Sequence, residues 1–243
     1  MLSIVIPAYN EQDRLGASVA RITEFLSARH PDYELLIVDD GSSDGTAGIA
    51  EELTQANPKI RLVRNPANRG KGFAVRNGMM EAAGDPILFS DADLSTPIEE
   101  IEKMLPLAAR NDVVFASRGL PDSDLEVRQP LARHLTGRFF NLVIRLFFIP
   151  GVKDTQCGFK LFRRAAAREL FGRATVDGWA FDVEVLAIAH KLGMSMAEVP
   201  VKWRNAPGTK VKLSHSFRIL SELARIWFRL ARDGSSKKGR GGD

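Results

Sequence analysis

Two carboxylates separated by one residue, Asp91 and Asp93, directly follow the short apolar run 87–89. Both side chains can reach one hard cation, because Mg²⁺ and Mn²⁺ prefer oxygen ligands and commonly complete their coordination with substrate phosphates. The pair therefore predicts a metal site that binds phosphate. The alternative is an acidic turn that begins the next helix.

A second polar segment, residues 39–45 with the sequence DDGSSDG, also follows an apolar run. A carboxylate fixed there, such as Asp39, can accept hydrogen bonds from ribose hydroxyls or from a base N–H group. A glycine-rich turn in which Asp44 caps the next helix is the alternative. A calcium loop is excluded, because the twelfth residue from Asp39 is Ala50, where an EF-hand requires glutamate.

Basic residues that could bind phosphate occur in two places. Residues 68–72, NRGKG, combine glycines and the cation Lys71 before a predicted helix, which favours an anion site, with a flexible loop as the alternative. The segment lacks the Walker A spacing and the G-x-G-x-x-G pattern. Four arginines lie in or beside a later loop-like stretch: Arg118, Arg128, Arg133 and Arg138. Their guanidinium groups match the geometry of phosphate oxygens. The alternative is that they are solvated surface residues.

Asp182 lies beside aromatic residues in the segment 179–184, WAFDVE, which begins an apolar helix pattern that runs to residue 192. In that position the carboxylate could hold a sugar hydroxyl or act as a base. It could equally stabilise the start of the helix through the helix dipole. The sequence alone leaves these roles open.

These residues need a scaffold that brings them together, and the first half of the chain predicts one. Strand-like and helix-like runs alternate, which indicates an α/β fold, a single Rossmann-like, mostly parallel sheet with helices on both faces. Ligands bind such sheets beyond the carboxyl ends of the strands, where residues 9–11, 39–41 and 91–93 all lie. We therefore expect one site. The predicted strands are 2–8, 34–40, 60–64, 86–90 and 112–116, and the predicted helices are 11–28, 44–55, 72–83 and 97–108, the last with Thr96 as its N-cap.

Charge is divided unevenly along the chain. Residues 1–125 carry 12 Lys and Arg against 20 Asp and Glu, and residues 126–243 carry 22 against 10. An acidic half suits a metal ion and a basic half suits phosphates, although an uneven distribution of solvated surface charge is the alternative. We expect no nucleic-acid partner, because RNP, helix-turn-helix and zinc patterns are absent and the first half is acidic.

Membrane segments are not expected from the sequence. No run approaches the roughly 18–20 apolar residues that span a bilayer, and Met1 leads into an apolar run without a basic n-region. The single cysteine, Cys157, fits a reducing compartment. We expect a cytoplasmic protein that contacts at most the cytoplasmic face of a membrane.

The last predicted helix, 214–232, has an unusual polar face, and residues 233–243 are predicted to be a disordered tail. Arginines and one glutamate recur along one stripe, opposite large apolar side chains. This pattern is typical of a helix that lies on anionic lipid, and a helix docked on its own core is the alternative. The stripe consists of Arg218, Glu222, Arg225, Arg229 and Arg232.

Together these segments resemble the inverting family 2 glycosyltransferases, which have the GT-A fold. The matching segments are 4–11 (IVIPAYNE), 38–46 (VDDGSSDGT), 68–72 (NRGKG) and 91–93 (DAD). Within that family, 91–97 (DADLSTP) and 154–160 (DTQCGFK) resemble the polyprenyl-phosphate sugar transferases. The likeness is greater to the dolichyl-phosphate glucosyltransferases, which use UDP-glucose, than to the GDP-mannose enzymes.

The resemblance implies roles for individual residues. A divalent metal, Mg²⁺ or Mn²⁺, is expected at Asp91 and Asp93, and Ser95 stands where mannosyl relatives carry a metal-binding glutamine. The predicted nucleotide site consists of Pro7, Tyr9, Glu11, Asp39, Lys71, Asp91 and Ala92. The predicted site for the acceptor phosphate consists of Arg118, Arg133, Arg138 and Gln156. The predicted catalytic residues are Asp93, Asp182 and Arg118.

The expected function is metal-dependent, inverting transfer of a hexose, glucose, from UDP-glucose to a polyprenyl or dolichyl phosphate. A phosphate monoester is ionised near neutral pH, with a second pKa of about 6, so no strong general base is needed. We expect one domain, 1–232, with a nucleotide and metal half, 1–120, and an acceptor half, 121–213. The alternatives are a glycan or other hydroxyl acceptor, a nucleotidyltransferase and a non-catalytic sugar-nucleotide binder.

Overall fold

The structure is a computed structural model that describes residues 1–125, 144, 147–204 and 215–238, with the side chains of the last helix described at 218–232. The five predicted strands are confirmed to within one residue at each end. The strands are β1 (Leu2–Ala8), β2 (Tyr33–Asp39), β3 (Ile60–Arg64), β4 (Ile87–Ser90), β5 (Val113–Ser117), β6 (Asp124–Leu125), β7 (Phe159–Phe162), β8 (Met196–Pro200) and β9 (Lys202–Trp203).

Seven strands form one sheet in the order β3-β2-β1-β4-β7-β5-β8, and β6 pairs with β9 separately. All neighbours in the large sheet are parallel except β7, which lies antiparallel between β4 and β5. Strand order reverses on the two sides of β1, which is where α/β sheets bind ligands. The predicted mostly parallel sheet is confirmed, with one inserted strand from the second half of the chain.

Helices cover both faces of the sheet. Successive side chains of a strand point to opposite faces, and on β1 Val5 joins one buried apolar cluster while Ile4 and Ile6 join the other. The helices are α1 (Leu15–Arg29), α2 (Thr46–Ala56), α3 (Lys71–Glu81), α4 (Ile101–Ala108), α5 (Arg164–Arg173), α6 (Phe181–Lys191) and α7 (His215–Lys238).

Three of the first four helices begin two to four residues later than predicted, and the other, α3, ends at Glu81, two residues before its predicted end. Helix α1 begins at Leu15, because Glu11 first forms a turn whose carbonyl accepts the N–H groups of Arg14 and Leu15. Gly45, not Asp44, is the cap residue of α2, although the Asp44 carboxylate accepts the Thr46 N–H at 3.0 Å. A short 3₁₀ turn, Ile98–Glu100, precedes α4.

Thr96 is therefore not an N-cap. Its hydroxyl lies 3.5 Å from the Cys157 sulfur, in the buried interior.

Helix α7 packs on the rest of the protein through Leu223 and Ile226, which are buried. It runs to Lys238, six residues beyond its predicted end. Leu220, Trp227 and Phe228 are exposed on it. Within the described ranges, no helix has both the length and the apolar character needed to cross a bilayer.

Candidate active site

Asp91 lies at the carboxyl end of β4, directly against the inserted strand β7. Its N–H donates to the Gly158 carbonyl at 3.0 Å, and its carboxylate covers Gly158 so closely that a Cβ there would lie 2.0 Å from Asp91 Oδ2. Only glycine leaves room for this carboxylate. The segment 154–160, which the sequence placed in the acceptor half, thus forms one wall of the predicted metal site.

The turn that follows fixes the second carboxylate. Ser95 N–H donates to Asp93 Oδ1 at 2.9 Å, and Ser18 Oγ donates to the carbonyl of Ala92 at 2.7 Å. Leu94 adopts the left-handed conformation, with φ +47°, which is uncommon outside glycine. The predicted pair is therefore held in a defined turn, and Ser95 takes part through its backbone.

Lys71 meets Asp91 from the opposite side. The Lys71 Nζ atom lies 2.6 Å from Asp91 Oδ1, and the Phe89 and Trp179 ring centroids are 5.5 and 5.4 Å from it. Burial lowers the pKa of Lys71, but Asp91, Asp182 and Asp93 outweigh it and raise the pKa above its usual value. A fixed positive charge therefore lies beside the carboxylate pair.

The donor set fits a hard divalent cation. Asp91 and Asp93 both supply carboxylate oxygens at one turn, as such ions prefer. Among the residues that the structure describes, no group of three or more His, Cys, Asp and Glu side chains is arranged to hold a metal. Hard divalent ions commonly complete their coordination with water and substrate phosphate oxygens.

Asp182 is deeply buried in an ion pair with Lys160. Asp182 is 5% exposed and Lys160 1%. The Lys160 Nζ atom lies 2.5 Å from Asp182 Oδ1 and donates to the Cys157 carbonyl at 2.6 Å. Burial raises the pKa of the Asp182 carboxyl, although Lys160 and Lys71 act in the opposite direction. The sequence left open whether Asp182 holds a sugar hydroxyl, acts as a base or stabilises the start of a helix. Burial and pairing with Lys160 favour a role in the structure over direct contact with an acceptor. The sequence placed Lys160 only within the matching segment 154–160, and its pairing with Asp182 was not predicted.

Arg118 does not stand free at the end of β5. Its Nε and Nη2 atoms donate to the two carboxylate oxygens of Asp154 at 2.6 and 3.0 Å, and its N–H donates at 3.0 Å. Burial alone would raise the pKa of Asp154, but Arg118 and the Gln156 N–H outweigh it and lower the pKa to about 2. Arg118 is thus first of all the partner of Asp154.

This pair gives a prediction on stability. The lowered pKa means that Asp154 contributes free energy of unfolding above the unfolded-state pKa, 3.8, and loses it as the pH falls toward 2. We expect Asp154→Asn to lower the free energy of unfolding by about 2 kcal/mol at pH 7, and the difference to narrow to about half that value at pH 3. Urea unfolding of both proteins between pH 7 and 3 measures it.

The matched control is Asp122→Asn, the same change at an exposed position. The free energy of unfolding of this variant should differ little from that of the wild type at any pH. A difference for Asp154→Asn that stays constant over the whole pH range would contradict the prediction.

Asp39 and Asp40, at the end of β2, organise the loops around the predicted nucleotide site. Asp39 Oδ1 accepts the Ser42 N–H at 3.1 Å. Asp40 accepts the Gly70 N–H at 2.8 Å and the Asn65 side-chain amide at 2.7 Å. The sequence analysis gave Asp40 no role. Strand alternation was the available signal, because adjacent residues at a strand end point to opposite sides.

The other residues predicted for the site differ in their exposure and in their hydrogen-bond partners. Tyr9, at the end of β1, is exposed and Pro7 is half-buried, while Glu11 pairs with Arg14 and its N–H donates to Thr46 Oγ1 at 2.7 Å. Gln156 donates its N–H to Asp154 at 3.0 Å. The predictions for Arg128, Arg133 and Arg138 lie outside the described residues.

The polar stripe of α7 is not uniformly a solvent face. Glu222 is 5% exposed and accepts the Ala180 N–H at 3.0 Å. Arg229 donates to buried Glu184 at 2.6 Å. Two of the five stripe residues thus dock the helix on the protein, because Ala180 lies directly before α6 and Glu184 in its first turn.

Residues 3–171 match the family described as glycosyl transferase family 2. A protein named dolichyl-phosphate beta-glucosyltransferase from Dictyostelium discoideum is 38% identical over 94% of this chain and 74% of its own length. The protein of that name from Homo sapiens is 34% identical over 86% of this chain and 69% of its own length. The one from Saccharomyces cerevisiae is 32% identical over 93% and 73%.

Solved structures show the fold. Mannosyl-3-phosphoglycerate synthase from Rubrobacter xylanophilus superposes with a TM-score of 0.71 at 22% identity, over 97% of this chain and 75% of that chain. Glucosyl-3-phosphoglycerate synthase from Mycobacterium tuberculosis, in complex with Mn²⁺, UDP and glucosyl-3-phosphoglycerate, has a TM-score of 0.70 at 22% identity over 93% and 80%. The chain therefore belongs to glycosyl transferase family 2 and is a glycosyltransferase with the GT-A fold.

Proposed function

We propose that this enzyme transfers glucose, with inversion, from UDP-glucose to a polyprenyl or dolichyl phosphate and requires Mg²⁺ or Mn²⁺. The observation that carries the proposal is identity of 32–39% to proteins named dolichyl-phosphate beta-glucosyltransferase. The donor and the metal are supported by a neighbouring structure at 20% identity that is described in complex with Mn²⁺ and UDP-glucose. The local geometry at Asp91, Asp93 and Lys71 agrees with both.

Asp91 and Asp93 would hold the metal, which when bound stabilises negative charge on the leaving diphosphate. Lys71 adds a positive charge 2.6 Å from Asp91, where it can contact a phosphate oxygen of the donor. Charges fixed before the reaction stabilise charge that develops in the transition state without reorganisation. Asp182, which is paired with Lys160, also contributes to the raised pKa of Lys71 and so favours its positive charge.

The proposed acceptor explains why a catalytic base is not needed. A phosphate monoester carries its nucleophilic oxygen already ionised, since its second pKa is about 6. Asp182 is paired with Lys160 at 2.5 Å and is buried, which agrees with a reaction in which no carboxylate removes a proton from the acceptor. The Arg118–Asp154 pair would then align the acceptor phosphate through the positive guanidinium.

We also propose peripheral contact with the cytoplasmic face of a membrane, where such an acceptor resides. Leu220, Trp227 and Phe228 form an exposed apolar surface on α7, with Phe228 62% exposed. The half of the chain that contains α7 carries the excess of Lys and Arg. An apolar face together with positive charge is typical of binding to anionic lipid surfaces.

The test uses purified protein with Mg²⁺ or Mn²⁺ and a short polyprenyl phosphate in detergent. UDP-glucose, UDP-galactose and GDP-mannose are compared by following lipid-linked sugar and released nucleoside diphosphate. We expect product from UDP-glucose only when metal is present, with the β configuration at the new glycosidic bond.

The matched control is the same polyprenol without its phosphate, which should give no product. Turnover with polyprenol or a glycan hydroxyl, but none with polyprenyl phosphate, would contradict the proposed acceptor. Equal turnover after removal of all divalent metal with EDTA would contradict the metal requirement.

A further inference from the structure

Helix α7 and the residues around Lys71 both contact one loop, residues 174–180, which we call the 174–180 loop. One side of this loop contacts α7, and the other side contacts residues 70–73, at the start of α3. Lys71 lies in that second contact. The proposal below rests on the proposed function, in which Lys71 binds the donor phosphates.

The contact between the loop and residues 70–73 is very close. A Cβ on Gly70, where φ is +112°, would lie 2.4 Å from the Asp177 carbonyl oxygen, and a Cβ on Gly72 would lie 2.4 Å from that of Val176. The Phe73 N–H donates to the Asp177 carbonyl at 3.2 Å. The backbone that carries Lys71 therefore rests directly on the loop.

The same loop also contributes to the surroundings of Lys71. The Trp179 ring centroid is 5.4 Å from Lys71 Nζ, and the Asp177 carboxylate lies 2.5 Å from Arg76 on α3. A displacement of the loop would therefore move both the backbone under Lys71 and the aromatic ring beside it.

On its other side, the loop is held by two residues of α7. Glu222 accepts the Ala180 N–H at 3.0 Å, and its carboxylate occupies the space where a Gly178 side chain would lie, 2.0 Å from the Cβ position. Arg229 donates to Glu184 Oε1 at 2.6 Å and to the Arg173 carbonyl.

Glu184 extends the hold of Arg229 to the backbone of the loop. Its carboxylate accepts the Thr175 N–H at 2.9 Å and the Val176 N–H at 2.8 Å. Glu222 thus fixes one end of the loop, and Arg229 fixes the other through Glu184.

We propose that Glu222 and Arg229 are positioning residues for the donor site, and that they act on Lys71 through the 174–180 loop. Small displacements of a binding group reduce its contribution steeply. Loss of either contact should therefore weaken donor binding specifically, although both residues belong to a polar stripe that is typical of a helix on anionic lipid.

The first variant is Glu222→Ala, which removes the acceptor for Ala180 N–H and the carboxylate over Gly178. We expect the KM for UDP-glucose to rise about tenfold while the KM for polyprenyl phosphate stays within about twofold. Amide hydrogen exchange should become faster in peptides that cover residues 174–180. It should also become faster in peptides that cover residues 68–73, because the loop contacts the start of α3. Glu222→Gln keeps a side-chain oxygen that can accept the Ala180 N–H, so the KM for UDP-glucose and the hydrogen exchange should both return to the wild-type values.

The second variant, Arg229→Lys, tests the same coupling if Glu222→Ala does not fold. It should retain the fold because it keeps a positive charge beside Glu184. A lysine cannot reach Glu184 and the Arg173 carbonyl together, and we expect the donor KM to rise about threefold. Arg225→Met is the matched control on α7, because the hydrogen bonds of Arg225 within the described residues go to Ser221 of its own helix. This control should change neither the donor KM nor the exchange of 68–73.

The outcomes separate this inference from the proposed function. Faster exchange confined to 174–180, or an unchanged donor KM, would show that α7 stabilises the loop alone and would overturn the inference. The same changes in Arg225→Met would overturn it too. A wild-type enzyme that does not use UDP-glucose would contradict the donor assignment. Amide hydrogen exchange of residues 68–73 in the variants would still show whether α7 is coupled to the backbone around Lys71.

Discussion

Asp91→Asn and Asp93→Asn should each lower turnover about a thousandfold, the size of effect seen when a group that stabilises transition-state charge is removed. Each variant keeps the shape of the side chain but loses one of the two carboxylates that are proposed to hold the divalent ion. Asp91 also holds Lys71 at 2.6 Å, so its loss additionally frees the ammonium group. Steady-state assays at saturating donor and metal measure the effect.

Direct titration with Mn²⁺, followed by water-proton relaxation in the presence of UDP, gives a second readout. Both variants should bind the ion at least tenfold more weakly than the wild type, since two carboxylates supply the protein's ligands. Glu52→Gln, the same loss of one carboxylate on the exposed face of α2, is the control and should behave as wild type. Turnover within a few-fold of wild type in Asp91→Asn and Asp93→Asn would remove the metal assignment.

Lys160→Met should be the most damaging single change to stability, with a loss of about 3–5 kcal/mol in the free energy of unfolding. The substitution leaves the Asp182 carboxylate buried without the ammonium group that lies 2.5 Å from it. Because burial already raises the pKa of Asp182, removal of Lys160 raises it further. A group whose folded-state pKa is raised destabilises the protein increasingly as the pH rises above the unfolded-state pKa.

The loss should therefore be larger at pH 8 than at pH 5, which urea unfolding at both values measures. Lys160→Met combined with Asp182→Leu replaces the whole pair by apolar side chains and should recover most of the stability. Arg21→Met breaks a pair of similar type that is exposed, with Glu99 at 3.1 Å, and should cost less than about 1 kcal/mol. Equal losses for Lys160→Met and Arg21→Met would contradict the argument.

Much of the fold could be predicted from the sequence. The five strands of the first half were found to within one residue, because continuous apolar runs bounded by turn residues are a local signal. The carboxylates of Asp39, Asp91 and Asp93 could be assigned to one edge for a topological reason, since parallel strands present their carboxyl ends on the same side. The antiparallel insertion of β7 was not predicted, because strand pairing depends on contacts distant in the sequence.

That insertion explains most of what was missed at the site. Gly158 lies in the matching segment 154–160, but its close contact with Asp91 appears only when β7 is placed beside β4. Lys160 and Asp182 are 22 residues apart and meet only in the interior. The pairing of Arg118 with Asp154, 36 residues away, likewise depends on the tertiary contact.

The sequence by itself determined the order of the strands and helices in the first half, the carboxylates at the strand ends and the resemblance to family 2, since these depend on local periodicity and short motifs. The tertiary structure decided which charges are paired. Helical periodicity placed Glu222 and Arg229 on one polar stripe with Arg225, but it could not show which part of that stripe would meet the 174–180 loop. Burial and pairing depend on what packs against a side chain, and that partner lies elsewhere in the chain.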